Sequence, residues 1–166
     1  MKQVVIHTDG AAKGNPGRGG FGVLLECNGH RLEICGGFER TTNNRMELLA
    51  AISGLEALKE ACQVVLHSDS RYLVDAMTKG WLRAWKARGW ARAKGQYLKN
   101  ADLWKRLAEA AAPHDVEWKW VKGHAGHEQN EHCDSLADAA ARGEKLAIDQ
   151  GFLAEEARGG EQGDLL

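Results

Sequence analysis

Two segments sixty positions apart carry one pattern, Val4-Val5-Ile6-His7-Thr8-Asp9-Gly10 and Val64-Val65-Leu66-His67-Ser68-Asp69-Ser70. Each is an apolar, β-branched run that ends on an aspartate followed by a turn residue, as a strand entering a loop does. Side chains alternate along a strand, so Val5, His7 and Asp9 share one face of the first strand, and Val65, His67 and Asp69 share one face of the second. If the two strands are parallel neighbours, their axes lie about 4.8 Å apart and both aspartates reach the same sheet edge. Either aspartate alone is most simply a turn residue. As a pair they fall beyond the carboxyl ends of the strands, where open α/β sheets bind ligands, and two like charges so close must share a proton or a cation.

The rest of the chain supplies the remaining layers. The first strand covers about 3–9 and runs into a glycine-rich loop, Gly14-Asn15-Pro16-Gly17-Arg18-Gly19-Gly20. Strand-like runs at 21–27 and 30–38 flank Asn28-Gly29, a strong hairpin signal because both residues tolerate positive φ. Leu48, Ala51, Ile52, Leu55 and Leu58 recur at helical spacing behind Thr42 and Asn43, which can cap, and this predicts a helix over 43–61. A short buried strand at 64–68 follows, then helices near 70–79, 81–88 and 100–111, a strand at 116–121 and a helix over 127–142. On the last helix Cys133, Leu136, Ala137 and Ala140 form one stripe. This order predicts an α/β fold, a mixed five-stranded sheet of one antiparallel hairpin plus parallel strands, flanked by helices.

Size and composition fit one such domain. A chain of 166 residues buries close to 70% of its unfolded surface without staples. With 27% charged and 43% hydrophobic residues, it is neither disordered nor fibrous. Residues 143–166 differ: five Gly and six acidic against two basic residues predict a disordered tail, removable after Arg142 or Gly143 with little effect on activity. No stretch is long and apolar enough to span a bilayer, and no signal-peptide pattern precedes Val4, so a cytoplasmic monomer is expected. Cys27, Cys35, Cys62 and Cys133 lack paired metal spacing and read as reduced thiols.

Two further carboxylates join the aspartate pair. Glu47 sits in the first turn of its helix beside the apolar stripe, since positions 47, 50, 51 and 54 read Glu, Ala, Ala, Gly. Asp134 follows Cys133 at the edge of the last helix's buried stripe. Singly, each is an ordinary helix charge. Together, Asp9, Glu47, Asp69 and Asp134 offer hard oxygen donors, which suit Mg²⁺ or Mn²⁺ and can hold two ions about 4 Å apart for phosphodiester cleavage. A zinc site from His124, His127, His132 and Cys133 is the minor alternative; His132 and Cys133 are adjacent, and Cys133 belongs to a buried stripe.

The net charge of −1 argues at first sight against a polyanionic partner. Its distribution argues the other way. Residues 79–99 hold seven Lys or Arg and no acid, interleaved with Trp81, Trp85 and Trp90. Some of that tryptophan packs beneath a helix, but unopposed cations repel unless they meet phosphates, which makes Lys86, Arg88 and their neighbours candidates for nucleic-acid contact. Without the tail's −4 the body carries +3, and two bound divalent ions would bring it to +7. Asn43 and Asn44 with Thr42, at a helix N-terminus, could meet phosphate or base edges, and Asn15 could reach a minor groove that displays 2′-hydroxyls.

Thr8-Asp9-Gly10 with Gly14-Asn15-Pro16-Gly17, Thr41-Thr42-Asn43-Asn44-Arg45-Met46-Glu47-Leu48, Ser68-Asp69-Ser70, and Val121-Lys122-Gly123-His124-Ala125-Gly126-His127 with Asn130-Glu131 and Cys133-Asp134 together resemble bacterial ribonuclease HI, the type 1 ribonuclease H family. The resemblance covers residues 1–142, as a catalytic domain whose 79–99 segment resembles the family's basic protrusion. It implies an endonuclease that cuts the RNA strand of RNA/DNA hybrids by two-metal-ion hydrolysis and leaves 5′-phosphate and 3′-hydroxyl ends. By position, Asp9, Glu47, Asp69 and Asp134 would hold Mg²⁺, with Mn²⁺ as a substitute, and His124 would assist proton transfer or product departure. Asn15, Thr42, Asn43, Asn44, Trp81, Trp85, Lys86, Arg88 and Trp90 are the expected substrate contacts. Arg71 stands where family members carry Gln, and Ala84 stands at a phosphate-contacting Asn; both bear on contacts to the DNA strand. The alternative is a hybrid-binding module without catalysis.

Overall fold

Hydrophobic alternation and turn chemistry account for most of the sheet. In the computed structural model, which describes residues 1–123 and 126–164, β1 (Lys2–Lys13), β2 (Gly17–Cys27) and β3 (His30–Thr41) form an antiparallel meander. Asn28 and Gly29 turn the second hairpin with φ of 51° and 79°, as a two-residue primed turn requires. The glycine-rich stretch is only partly a loop, since Gly17 to Gly20 already belong to β2 and pair with β1 or β3. Glycines are poor strand formers, and these are held in the sheet by their pairing with β1 and β3.

Thr42 caps α1 (Asn43–Glu56), its hydroxyl accepting from the Arg45 amide at 3.2 Å. The helix stops short of the expected residue 61 because β4 (Cys62–Ser68) begins opposite Lys2, and residues 57–61 must make the connection. β4 lies parallel to β1 in a register that sets Val5 against Val65 and His7 against His67. Ser70 caps α2 (Arg71–Thr78), and α3 (Trp81–Ala87) leads to a small hairpin of β5 (Ala91–Ala93) and β6 (Gln96–Tyr97). Then come α4 (Ala101–Ala111), β7 (Asp115–Trp120) parallel to β4, and α5 (Glu128–Arg142).

The main core lies between the sheet and α1 with α4, where Ile6, Val23, Leu48, Ile52, Leu66 and Trp104 are fully buried. α1 is enclosed nearly all round, with residues 45–52 buried without a break. The other sheet face receives α5. A Cβ at Gly20, Gly22 or Gly37 would collide with the α5 backbone, so the glycines that weaken the strands allow the helix to approach.

Two expectations are corrected. The sheet has six strands, in the order β7-β4-β1-β2-β3-β8, because β8 (Leu146–Ala147) pairs parallel with β3. Nor do residues 143–164 form a disordered tail: after β8 they make α6 (Gln150–Asp164). The anchor is Arg45, 1% exposed, whose guanidinium donates to Asp149 at 2.8 and 2.9 Å and to Asp102 at 2.7 and 2.8 Å. Asp149 also accepts from the Thr41 hydroxyl at 2.7 Å and the Phe152 amide at 3.1 Å. A buried guanidinium needs such partners, and one of them lies in the tail.

Candidate active site

Three close approaches assemble the carboxylates. β1 and β4 run side by side, so Asp9 and Asp69 leave the sheet together, two residues beyond the His7 and His67 pair. Gly10 has no side chain to collide with the Met46–Glu47 backbone, and its N–H donates to Glu47 Oε1. Asp9 stands opposite Gly22 in the sheet, and Gly22 admits the α5 backbone at Cys133, which brings Asp134 alongside. One oxygen from each of Asp9, Glu47 and Asp69 falls within 4.8 Å of the others. Asp134 lines the same cleft, of about 410 Å³.

The electrostatics follow from this crowding. Burial, reinforced by the Asp69 charge, pushes the Asp9 carboxyl up to about 7. Glu47 is raised well above the carboxylate range by burial and then by Asp9 and Asp69. Among the described residues no Lys or Arg is paired with any of the four. Clustered, desolvated carboxylates without a basic partner are suited to a divalent cation with oxygen preference, so the residues present fit Mg²⁺ or Mn²⁺.

The zinc alternative is not assembled among the described residues. Cys133 is fully buried with its thiol directed at the His7 carbonyl, and burial pushes that thiol up to about 12. His132 is half-buried and bonded to Glu33 at 2.6 Å. His124 lies outside the described residues. Its neighbour Gly123 packs so tightly on the Asp69 carboxylate that a Cβ there would meet Oδ2. All four cysteines are free thiols. The rings of His7 and His67 stack at 4.3 Å behind the aspartates, and His7 is lowered to about 4 by burial and by the charges of His67 and His127.

Asn43 and Asn44 line the same cleft. Asn43 does not cap α1. Its side chain accepts from the Ala12 amide at 2.5 Å, and its own N–H donates to Asn15 at 3.1 Å, so the Asn15 loop is tied to the helix start. Trp81 is 41% exposed, whereas Trp85 and Trp90 are half-buried and Trp85 packs on Trp104 with centroids 5.1 Å apart. Lys86 and Arg88 are exposed in the basic segment. Two features were not expected from sequence. Lys79 is partnered by Asp75 at 3.6 Å, and Arg71, on the cleft rim, stacks 3.8 Å over Trp120, whose indole N–H donates to the Asp69 carbonyl. An arginine one residue after a helix cap and a tryptophan ending a strand carry no sequence signal of mutual contact.

A mixed sheet with carboxylates converging beyond its parallel strands, backed by helices on both faces, defines an α/β protein with an oxygen-donor metal-type site. A ribonuclease H family model matches residues 1–142. Ribonuclease H of Rippkaea orientalis is 55% identical over 149 residues, 90% of this chain and 91% of the relative, and that of Shewanella loihica is 52% identical over 155 residues, 93% and 98% of the two chains. Among solved structures, LC9-RNase H1, described as a type 1 RNase H with the type 2 active-site motif, superposes with a TM-score of 0.77 at 37% identity, over 95% of this chain and 82% of that one. The chain belongs to the ribonuclease H family. No helix among the described residues is long and apolar enough to cross a membrane.

Proposed function

We propose that this protein is a Mg²⁺-dependent endoribonuclease that hydrolyses the RNA strand of RNA/DNA hybrids, with water as nucleophile and 5′-phosphate and 3′-hydroxyl ends as products. The observation that carries the reading is the convergence of Asp9, Glu47 and Asp69 within 4.8 Å, with Asp134 in the same cleft, in a chain so similar to relatives named ribonuclease H. Held by these four carboxylates, two divalent cations would supply neutralisation of charge on the attacking and leaving oxygens.

The chain's own groups do the rest. The β1 and β4 backbones fix the two aspartates, and the Gly10 N–H and the Ser68 hydroxyl, the latter 3.4 Å from Oε2, orient Glu47. Asn43 and Asn44 at the cleft wall present amides to the strand being cut, and Asn15 braces Asn43. Lys86 and Arg88, with Trp81, Trp85 and Trp90 beneath and beside them, receive the phosphates of the other strand. His124 follows Gly123, which touches Asp69, and an imidazole there, able to take up a proton and release it again near neutral pH, would carry one to the departing oxygen.

The test compares RNA/DNA hybrid with double-stranded RNA, DNA and single-stranded RNA, each with and without added Mg²⁺ or Mn²⁺. Cleavage confined to the RNA of the hybrid, dependent on metal and abolished in Asp69→Asn with the fold retained, is the expected outcome. Wild-type rate in Asp69→Asn would remove the ligand assignment. Tight hybrid binding with no RNA fragments under either metal would leave a non-catalytic binding module in its place.

A further inference from the structure

The basic segment leaves the body after α2 and re-enters it at Asn100, and it lacks the means to order itself. Its hairpin has one strand of three residues and one of two, well below what is stable alone in water. The order comes from anchors. On the entry side Trp85 packs on Trp104, and the Trp90 amide returns to the Trp85 carbonyl at 2.8 Å. On the exit side Leu98 is buried in the main core, and the polar anchor beside it is α6.

Glu155 of α6 is the junction. Its Oε1 accepts from the Tyr97 hydroxyl at 2.6 Å and from the Asn100 backbone amide. Tyr97 belongs to the hairpin, paired across it with Ala91, and Arg158, one turn further along α6, stacks 4.2 Å over the Tyr97 ring. Asn100 is fully buried with φ of 63°, accepts from Arg45 at 3.4 Å and donates to Tyr72 at 3.0 Å. One carboxylate thus ties the exit side of the basic segment to the buried node that also holds α1.

We propose that Glu155 is a positioning residue for substrate binding: through Tyr97 and Asn100 it clamps the exit of segment 79–99, so that Arg92, Lys94 and Lys99 meet nucleic-acid phosphates as a pre-ordered set. This rests on the hybrid-binding part of the function proposed above. Charge alone makes the opposite claim, because an acid beside a cationic segment repels a polyanion and its removal should tighten binding. The clamp makes the removal weaken it, because the side chains must then be ordered at the moment of binding.

Binding of a labelled RNA/DNA hybrid to the full chain, measured by fluorescence anisotropy without divalent cation over a series of salt concentrations, separates the two. Glu155→Ala and Tyr97→Phe should each weaken binding by roughly 2- to 10-fold. The salt slope should stay unchanged, because every segment cation is retained. Amide exchange over residues 90–99 should accelerate, and in steady-state cleavage KM should rise while kcat holds. Glu156→Ala, which removes the neighbouring α6 carboxylate that pairs with Arg40 at 2.6 Å, should do none of this. Tyr97→Phe carries the test if Glu155→Ala does not fold. The proposal is overturned by wild-type or tighter binding in either variant, or by equal weakening in Glu156→Ala, which would mean that helix docking in general is at work. A wild-type protein that binds hybrid without cutting it would refute the catalytic reading and leave this comparison intact.

Discussion

Asp149→Ala removes one of two carboxylates from a guanidinium that is 1% exposed. Breaking a buried ion pair from one side costs about 3–5 kcal/mol, because the remaining charge keeps its desolvation penalty. Here Asp102 stays bonded to Arg45 through two contacts at 2.7 and 2.8 Å and is half-exposed, which places the loss near the low end, about 3 kcal/mol. The Thr41 hydroxyl loses its acceptor, and the Phe152 amide loses its cap at the start of α6, adding about 1 kcal/mol. A total of about 4 kcal/mol corresponds to a drop in Tm of roughly 10 °C for a chain of this size. Urea unfolding followed by tryptophan fluorescence reads the change, with the midpoint shifting at constant slope. Truncation after Gly143 deletes Asp149 together with β8 and α6 and must cost at least as much, contrary to a dispensable tail. A loss below about 1 kcal/mol, the range of exposed pairs such as Arg40–Glu156, would refute the argument that Arg45 depends on Asp149.

Two more expectations concern charge. The Asp9 carboxyl, raised to about 7, keeps its proton in the folded state at pH values where the unfolded chain has lost it. Its stabilising contribution is therefore full below about pH 4 and disappears as pH rises through about 7. Metal-free Asp9→Asn should accordingly match wild type in acid and exceed it above neutrality by on the order of a few kcal/mol; a constant gap in thermal melts from pH 4 to 8 would contradict the crowding account. Lys86→Ala should weaken hybrid binding and lower the slope of log K against log salt by about 1; an unchanged slope would take Lys86 off the list of phosphate contacts.

The layout of the sheet was legible because strand patterns are local. Apolar, β-branched runs marked β1 and β4, Asn28-Gly29 marked the β2–β3 turn, and the matched endings at Asp9 and Asp69 required only that their strands be parallel neighbours, as they are. Thr42 and Ser70 announced two helix starts by the same local chemistry. The tail was misread for a related reason: its composition is poor in apolar residues, and local pattern offers no sign that Asp149 would find Arg45 104 positions earlier. Gly17 to Gly20 carry a loop-like local signature, and for Gly20 the reason for glycine lies in the helix that packs against it.

By itself, then, the sequence determined which residues could do chemistry and on which strand ends and helix turns they sit, since those depend on neighbours along the chain. Only the tertiary structure decided that Gly10 and Gly22 let α1 and α5 approach closely enough to bring Glu47 and Asp134 beside Asp9. It also decided that a C-terminal helix closes the buried Arg45 site and grips the basic segment through Glu155. Those contacts join residues with no local relation, and their free energy exists only once both surfaces have left water together.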